Sequence, residues 1–126
     1  MSVQFNHTIV AAKDKVRSAR FLAELLGLPE PRPAWHFLVV ELAHGVSLDY
    51  MDTTEDIASQ HYAFLVSDDV FDALIAKIRA RGIPHWADPQ GQYPGEINTD
   101  HGGRGVYFQD PSGHYMEAIT KPYGGG

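Results

Sequence analysis

The sequence predicts an α+β fold in which one βαββ(β) unit occurs twice, and three observations predict it. The first is a repeated order of marker residues. His7 leads through Asp14 to Gly27-Leu28-Pro29, and His61 leads through Asp68 to Gly82-Ile83-Pro84. The second is a pair of segments in which a glycine precedes an acid by four residues, Gly45 before Asp49 and Gly113 before Glu117. The third is periodicity: each half opens on alternating apolar residues and then changes to helical spacing.

Val3, Phe5, His7 and Ile9 alternate with Gln4, Asn6 and Thr8, so residues 3–10 read as a strand with His7 on its apolar face. Residues 14–26 read as a helix, with Val16, Ala19, Ala23 and Leu26 on one stripe. Asp14 suits its start, and Gly27 with Pro29 ends it. Residues 34–42 and 45–51 read as strands joined around Ala43-His44, and the acidic stretch 52–59 as a linker. In the second half, residues 60–66 read as a strand with His61 on the face of Ala63 and Leu65. Residues 69–81 follow as a helix with Val70, Leu74 and Ile78 in line beside Phe71 and Ile75. Strands at 104–109 and 114–120 flank the turn Asp110-Pro111-Ser112-Gly113, whose residues suit a tight reversal. Short extra strands fit near 30–34 and 84–87. The expected division of the single domain 1–126 is module one 1–51, linker 52–59, module two 60–121 and a tail 122–126 that frays.

Residues 87–103 have no counterpart in the first half. A non-repeating loop of that length in a small domain is usually either functional or a disordered surface excursion. Its Tyr93, Glu96, Asn98, Asp100 and His101 suggest a lid or pocket wall.

Composition narrows the function. A formal charge of −6 argues against a nucleic-acid surface, which needs clustered Lys and Arg. No apolar run approaches the roughly 18 residues of a membrane span. The first residues lack the basic start and apolar stretch of a signal peptide, so a cytoplasmic location is expected. The absence of cysteine excludes disulfides, thiolate ligands and a cysteine nucleophile.

The chemistry concentrates in His7, His61 and Glu117. Each is placed by alternation on an apolar strand face, where an ionised carboxylate costs several kcal/mol unless it is paired or binds a metal. Two imidazoles and one carboxylate match the set that leaves open positions on a divalent ion, here Fe, Mn, Ni, Co or Zn with N/O ligands. The repeat puts Asp49 where Glu117 stands in the second half. Trp35, Phe37, Trp86 and Tyr93 are candidates for an aromatic pocket wall. His101 and Arg104 are candidates for contact with an anionic substrate oxygen, and His36, His44, His85 and His114 read as surface residues.

The run Gly105-Val106-Tyr107-Phe108-Gln109-Asp110-Pro111-Ser112-Gly113-His114-Tyr115-Met116-Glu117 resembles the C-terminal signature of the vicinal oxygen chelate superfamily. Glyoxalase I, extradiol dioxygenases, fosfomycin-resistance transferases and bleomycin-resistance proteins belong to it. The resemblance implies paired βαβββ modules forming a cup-shaped mixed sheet, with metal ligands on the first strand of each module and near the end of the second. Against glyoxalase I, His7, His61 and Glu117 match three ligands, and Asp49, one methylene shorter, falls at the fourth. Against the fosfomycin enzymes, His61-Tyr62-Ala63-Phe64 matches, but the lysine and arginine that hold a phosphonate have no counterpart. Against the extradiol dioxygenases, His101, Tyr107 and Glu117 nearly reproduce a His-Tyr-Glu signature, with the gap after His101 one residue short. The metal-free bleomycin-resistance branch is disfavoured by the complete ligand set.

The expectation is therefore a metal-dependent enzyme on a small substrate that presents two neighbouring oxygens to the ion. Glyoxalase-like isomerase or lyase chemistry leads over Fe(II)-dependent ring cleavage, with a metal-free binding protein as the non-enzyme alternative. Glu117 or Asp49 would serve as the proton-transfer base. The resemblance also implies a homodimer, with His7 given to a site by one chain and His61 and Glu117 by the other.

Overall fold

In a computed structural model that describes residues 2–123, the chain divides into two compact units, Met1–Ala58 and Ser59–Gly126. The expected frayed glycines 124–126 lie outside the described residues. Each unit holds one helix and one four-stranded mixed sheet.

Module one runs β1 (His7–Ala12), α1 (Lys15–Leu26), β2 (Arg32–Ala34), β3 (Phe37–Glu41) and β4 (Ser47–Asp52). Its sheet order is β1-β4-β3-β2, with β1 parallel to β4 and the other pairs antiparallel. Module two repeats this as β5 (His61–Leu65), α2 (Asp68–Ala80), β6 (His85–Trp86), β7 (Gly105–Gln109) and β8 (Tyr115–Ile119), in the order β5-β8-β7-β6. The α+β class and the βαβββ repeat are thus as expected, including the short strands β2 and β6.

The helix ends follow local chemistry. Asp14 stands outside α1 as its cap, its carboxylate accepting the N–H groups of Val16 and Arg17 at 3.0 and 3.1 Å. Gly27 takes the left-handed conformation (φ 66°) that closes α1, and Leu28 donates back to the Ala23 carbonyl at 2.8 Å. Ser67 caps α2 through Val70 N–H at 3.2 Å, while Asp68 and Asp69 in the first turn and Lys77 and Arg79 in the last complement the helix dipole.

Two expectations need correction. Trp35 and His36, read as the start of a strand, form the turn between β2 and β3, with Trp35 at φ 55° and Ala34 paired to Phe37. The second concerns which strand face is buried. In β1 the buried residues are Val10 and Ala12, and in β4 Leu48 and Tyr50; the face of Phe5, His7 and Ile9 is exposed. Module two behaves alike, with Met116 and Ala118 buried while His61, Ala63 and Leu65 are exposed. The cause is one helix per sheet. In module one the helix stripe is Ala19, Leu22, Ala23, Leu25 and Leu26 with Val16 left exposed, and in module two it is Phe71, Leu74, Ile75 and Ile78. In β1 and β4 the helix-covered parity is the buried one, although both parities carry apolar residues, whereas β7 and β8 also bury Tyr107 and Glu117 of the other parity. Phe5, Ile9, Leu65 and Tyr115 are accordingly 61, 50, 62 and 40% exposed.

Candidate active site

Strand register explains why the two modules present matching groups. His7 is opposite Ser47 and Ile9 opposite Asp49 in the β1/β4 pair. His61 is opposite Tyr115 and Ala63 opposite Glu117 in the β5/β8 pair. His7 and Asp49 therefore occupy the same two lattice points of their sheet as His61 and Glu117 occupy in theirs. In both, histidine and acid are diagonal neighbours on the open face.

In module two the diagonal pair meets. His61 Nε2 lies 2.9 Å from Glu117 Oε1. The Glu117 side chain is only 1% exposed, whereas that of His61 is 51% exposed. Ala63, directly across from Glu117, has a side chain too short to fill the space beside the carboxylate. Tyr107, paired with Glu117 across β7/β8, lies with its ring 6.1 Å from that of His61. Burial, followed by hydrogen bonding to Glu117 and that group's charge, pushes the Tyr107 phenol well above its ordinary value. Tyr107 is a neutral hydrogen-bond donor across the physiological range.

The other oxygen of Glu117 is held by a residue that strand and helix patterns did not single out. The hydroxyl of Tyr123 donates to Glu117 Oε2 and lies 3.1 Å from the Tyr107 hydroxyl. Tyr123 follows Lys121-Pro122 after the last strand, in the segment read as a tail. A lone tyrosine beyond a proline carries no periodic signal that would have identified it.

His101 stands at φ 58° in a 3-10 turn, Asp100–Gly102, with its ring 4.6 Å from the Tyr123 ring. Its neighbour is a tyrosine rather than an anion pocket. In module one the two groups stand apart in their bonding: His7 Nδ1 is 2.6 Å from Asn6 Oδ1, and Asp49 Oδ1 accepts the Ser47 hydroxyl at 2.8 Å.

A divalent ion fits the module-two pair in part. Two N/O ligands at about 2.0–2.1 Å from one ion and at right angles to each other lie about 2.9 Å apart, the spacing of His61 Nε2 and Glu117 Oε1. No third histidine, aspartate or glutamate of module two joins them among the described residues. The pair is thus an incomplete donor set, and its His61 lines a cavity of ≈ 310 Å³ with Ser59, Gln60, Pro89, Tyr107 and Tyr115. A second cavity of ≈ 260 Å³ shares Pro89, Tyr107 and Tyr115 and adds Trp86 as an aromatic wall.

Other candidates are placed elsewhere. Arg104 is bound to Asp72 at 2.7 Å and Asp68 at 3.0 Å, and its guanidinium lies 4.6 Å over the Phe71 ring. It therefore fastens β7 to α2 and is not a free anion contact. His85 and His114, expected at the surface, are buried on the helix-covered side. His114 Nδ1 accepts the Gln60 N–H at 3.1 Å, and its ring meets that of Tyr62 edge-on. Trp35 is exposed, stacked on His36.

The non-repeating loop is tied down rather than free. The Asp88 carboxylate accepts the N–H groups of Gln92 and Tyr93, both at 2.9 Å. Asn98 donates to the Ala87 carbonyl at 2.7 Å, and its backbone bridges to Gly105. Gly105 permits that approach: a Cβ there would stand 2.9 Å from Asn98 Oδ1. The segment forms a wall beside the cavities, through Pro89, Gln90 and Gly91, which is one of the two expected roles.

Comparison with known proteins bears on the same residues. Residues 4–118 match the profile of the Glyoxalase/Bleomycin resistance protein/Dioxygenase superfamily. A glutathione transferase FosA of Serratia marcescens is 28% identical over 125 residues, covering 93% of this chain and 80% of that protein. The solved structure of an oxidase, ChaP-H1, is 55% identical with a TM-score of 0.96, covering 98% of this chain and 100% of its own. That of a second oxidase, ChaP-H2, is 57% identical with a TM-score of 0.95 and covers 100% of both chains.

The loop anchor makes a pH prediction. Partial desolvation pushes Asp88 upward, but the backbone donors of Gln92, Tyr93 and their neighbours outweigh it and hold the carboxyl below its ordinary value. A depressed acid stabilises the folded loop above its unfolded pKa, about 3.9, and that contribution is lost as pH falls through the folded value. Protection of the Gln92 and Tyr93 amides, relative to their intrinsic exchange rates at each pH, should fall over that acid window in the wild type. In Asp88→Ala it should already be low at neutral pH, and equal protection in both proteins would contradict the assignment.

Proposed function

Because the chain belongs to the Glyoxalase/Bleomycin resistance protein/Dioxygenase superfamily, we propose that it is a metal-dependent oxidase of a small substrate with two neighbouring oxygens. The observation that carries the proposal is the His61–Glu117 pair, spaced as two adjacent ligands, with His61 lining a cavity. Whole-length likeness to two oxidases at 55 and 57% identity favours oxidation over the glyoxalase-like isomerisation that the sequence alone put first. The oxidant would be dioxygen. A phosphonate substrate is disfavoured, since Arg104 is already spent on Asp68 and Asp72.

In this reading His61 and Glu117 hold the ion with His7, which the strand register makes the module-one counterpart of His61. The ion, when bound, supplies Lewis acidity to the substrate oxygens and a path for electrons towards dioxygen. Glu117 presents Oε1 and keeps Oε2 on Tyr123. Tyr107, held protonated by its surroundings, donates a hydrogen bond to an oxygen that gains charge during reaction. Asp49, half-buried and steadied by Ser47, takes the substrate proton. Trp86 and Tyr115 flank the adjoining cavity and orient the substrate's apolar part.

Metal analysis and oxygen uptake test this together. After anaerobic loading with Fe(II) or Mn(II), about one ion per chain should remain, and the loaded protein should consume oxygen with a catechol or enediol panel. His61→Ala and Glu117→Ala should each weaken binding by more than about 100-fold, beyond the effect of losing a residue that only supports a ligand. Asp49→Ala should spare binding and slow turnover. Unchanged affinity in both ligand variants would sink the site, while binding without oxygen uptake would return the reading to isomerase chemistry.

We further propose a homodimer in which each site takes His7 from one chain and His61 with Glu117 from the other. The support is that each module leaves apolar residues uncovered, Phe5 and Ile9 in module one and Leu65 and Tyr115 in module two. Co-refolding His7→Ala with Glu117→Ala should restore one wild-type site per mixed dimer. Verified mixed dimers that recover no metal binding would place each site within one chain.

A further inference from the structure

The C-terminal end of module two reaches back onto the site, through contacts that serve neither the sheet nor the helix. Tyr123 lies four residues beyond β8, and its ring packs at a tilt against that of His101 while its hydroxyl donates to Glu117 Oε2 and neighbours that of Tyr107. The other oxygen, Oε1, is left to His61. The two oxygens of one buried carboxylate are thus assigned to different partners, His61 on one and Tyr123 on the other.

We propose that Tyr123 is a positioning residue that holds Glu117 Oε2, so that Oε1 alone is presented beside His61 to a divalent ion. The proposal rests on the metal reading above. The argument is one of donor supply. A carboxylate on a strand can rotate about its last bond and offer either or both oxygens, and an ion that must keep positions open for substrate needs one. A hydroxyl on Oε2 selects the one-oxygen mode, and partners that touch a ligand in this way commonly affect metal affinity about 10–100-fold. Tyr123 does not compete with the ion, because it occupies the oxygen that does not face His61. His101 then has a role that needs no substrate contact: held at φ 58° in its turn, its ring gives the Tyr123 ring a surface to rest on.

The test uses two variants of the full chain and two readouts. Tyr123→Phe keeps the ring on His101 and loses the hydroxyl, whereas Tyr123→Ala loses both. In metal-free protein with ¹³C-labelled glutamate carboxyls, the Glu117 signal, assigned by Glu117→Gln, should shift in both variants. Titration with Mn(II) should show affinity about 10–100-fold weaker in both, with thermal stability changed little in Tyr123→Phe. An unmoved Glu117 signal would overturn the proposal. So would Mn(II) affinity that is unchanged or tighter in Tyr123→Phe, or lost only in Tyr123→Ala, which would make the ring's packing the sole contribution. A wild-type chain that binds no Mn(II) but shows the carboxyl shift would defeat the metal reading while supporting the Tyr123 hydrogen bond as the orienting contact.

Discussion

The carboxylate of Glu117, shut away from water in the middle of β8, makes demands that the surrounding residues of module two meet. An ionised carboxylate at 1% exposure is unfavourable by several kcal/mol unless hydrogen bonds or a cation replace the water it has lost. His61 answers on one oxygen and Tyr123 on the other, with Tyr107 alongside. Each of these comes from a different element: β5, the segment after β8, and β7. The parallel pairing of β5 with β8 brings the imidazole within reach, and the small Ala63 leaves room beside the acid. Once those partners are in place, the phenol of Tyr107 is held in its protonated form by burial and by the acid it faces.

Duplication supplies the rest of the logic. Both modules put a histidine and an acid at the same lattice points, yet only module two surrounds its acid with an imidazole and phenols. In module one the position matching Tyr107 is Val39, and the acid is the shorter Asp49, satisfied locally by Ser47. The acid with the richer set of partners is the buried one. This asymmetry is the ground for proposing Glu117 as the ligand and giving Asp49 a different part.

Much of this was legible in the residues. The cap at Asp14 and the apolar stripe of α2 marked the helices, while the turn at Asp110-Gly113 marked the hairpin between β7 and β8. The strand faces were misread because alternation shows that one parity is apolar, not which parity the single helix covers. His7 and Ile9 lie on the uncovered side, while Val10 and Ala12 meet the core. Buried His85 and His114 were missed because their placement depends on register: His85 pairs with Phe108 on the helix-covered side. Arg104 was assigned to a ligand because its partners, Asp68 and Asp72, are about one helical turn apart on α2 and more than thirty residues away in sequence. Tyr123 was invisible for a similar reason, since only the fold brings that residue back to Glu117.

X-ray absorption or anomalous diffraction on crystals loaded with Mn(II) bears most directly on the claim that Glu117 and His61 form one side of an ion site. The expected result is a single ion directly bonded to both His61 Nε2 and Glu117 Oε1, with the Tyr123 hydroxyl still on Oε2. An ion that bypasses Glu117, or one gripped by both of its oxygens with Tyr123 displaced, would contradict the account.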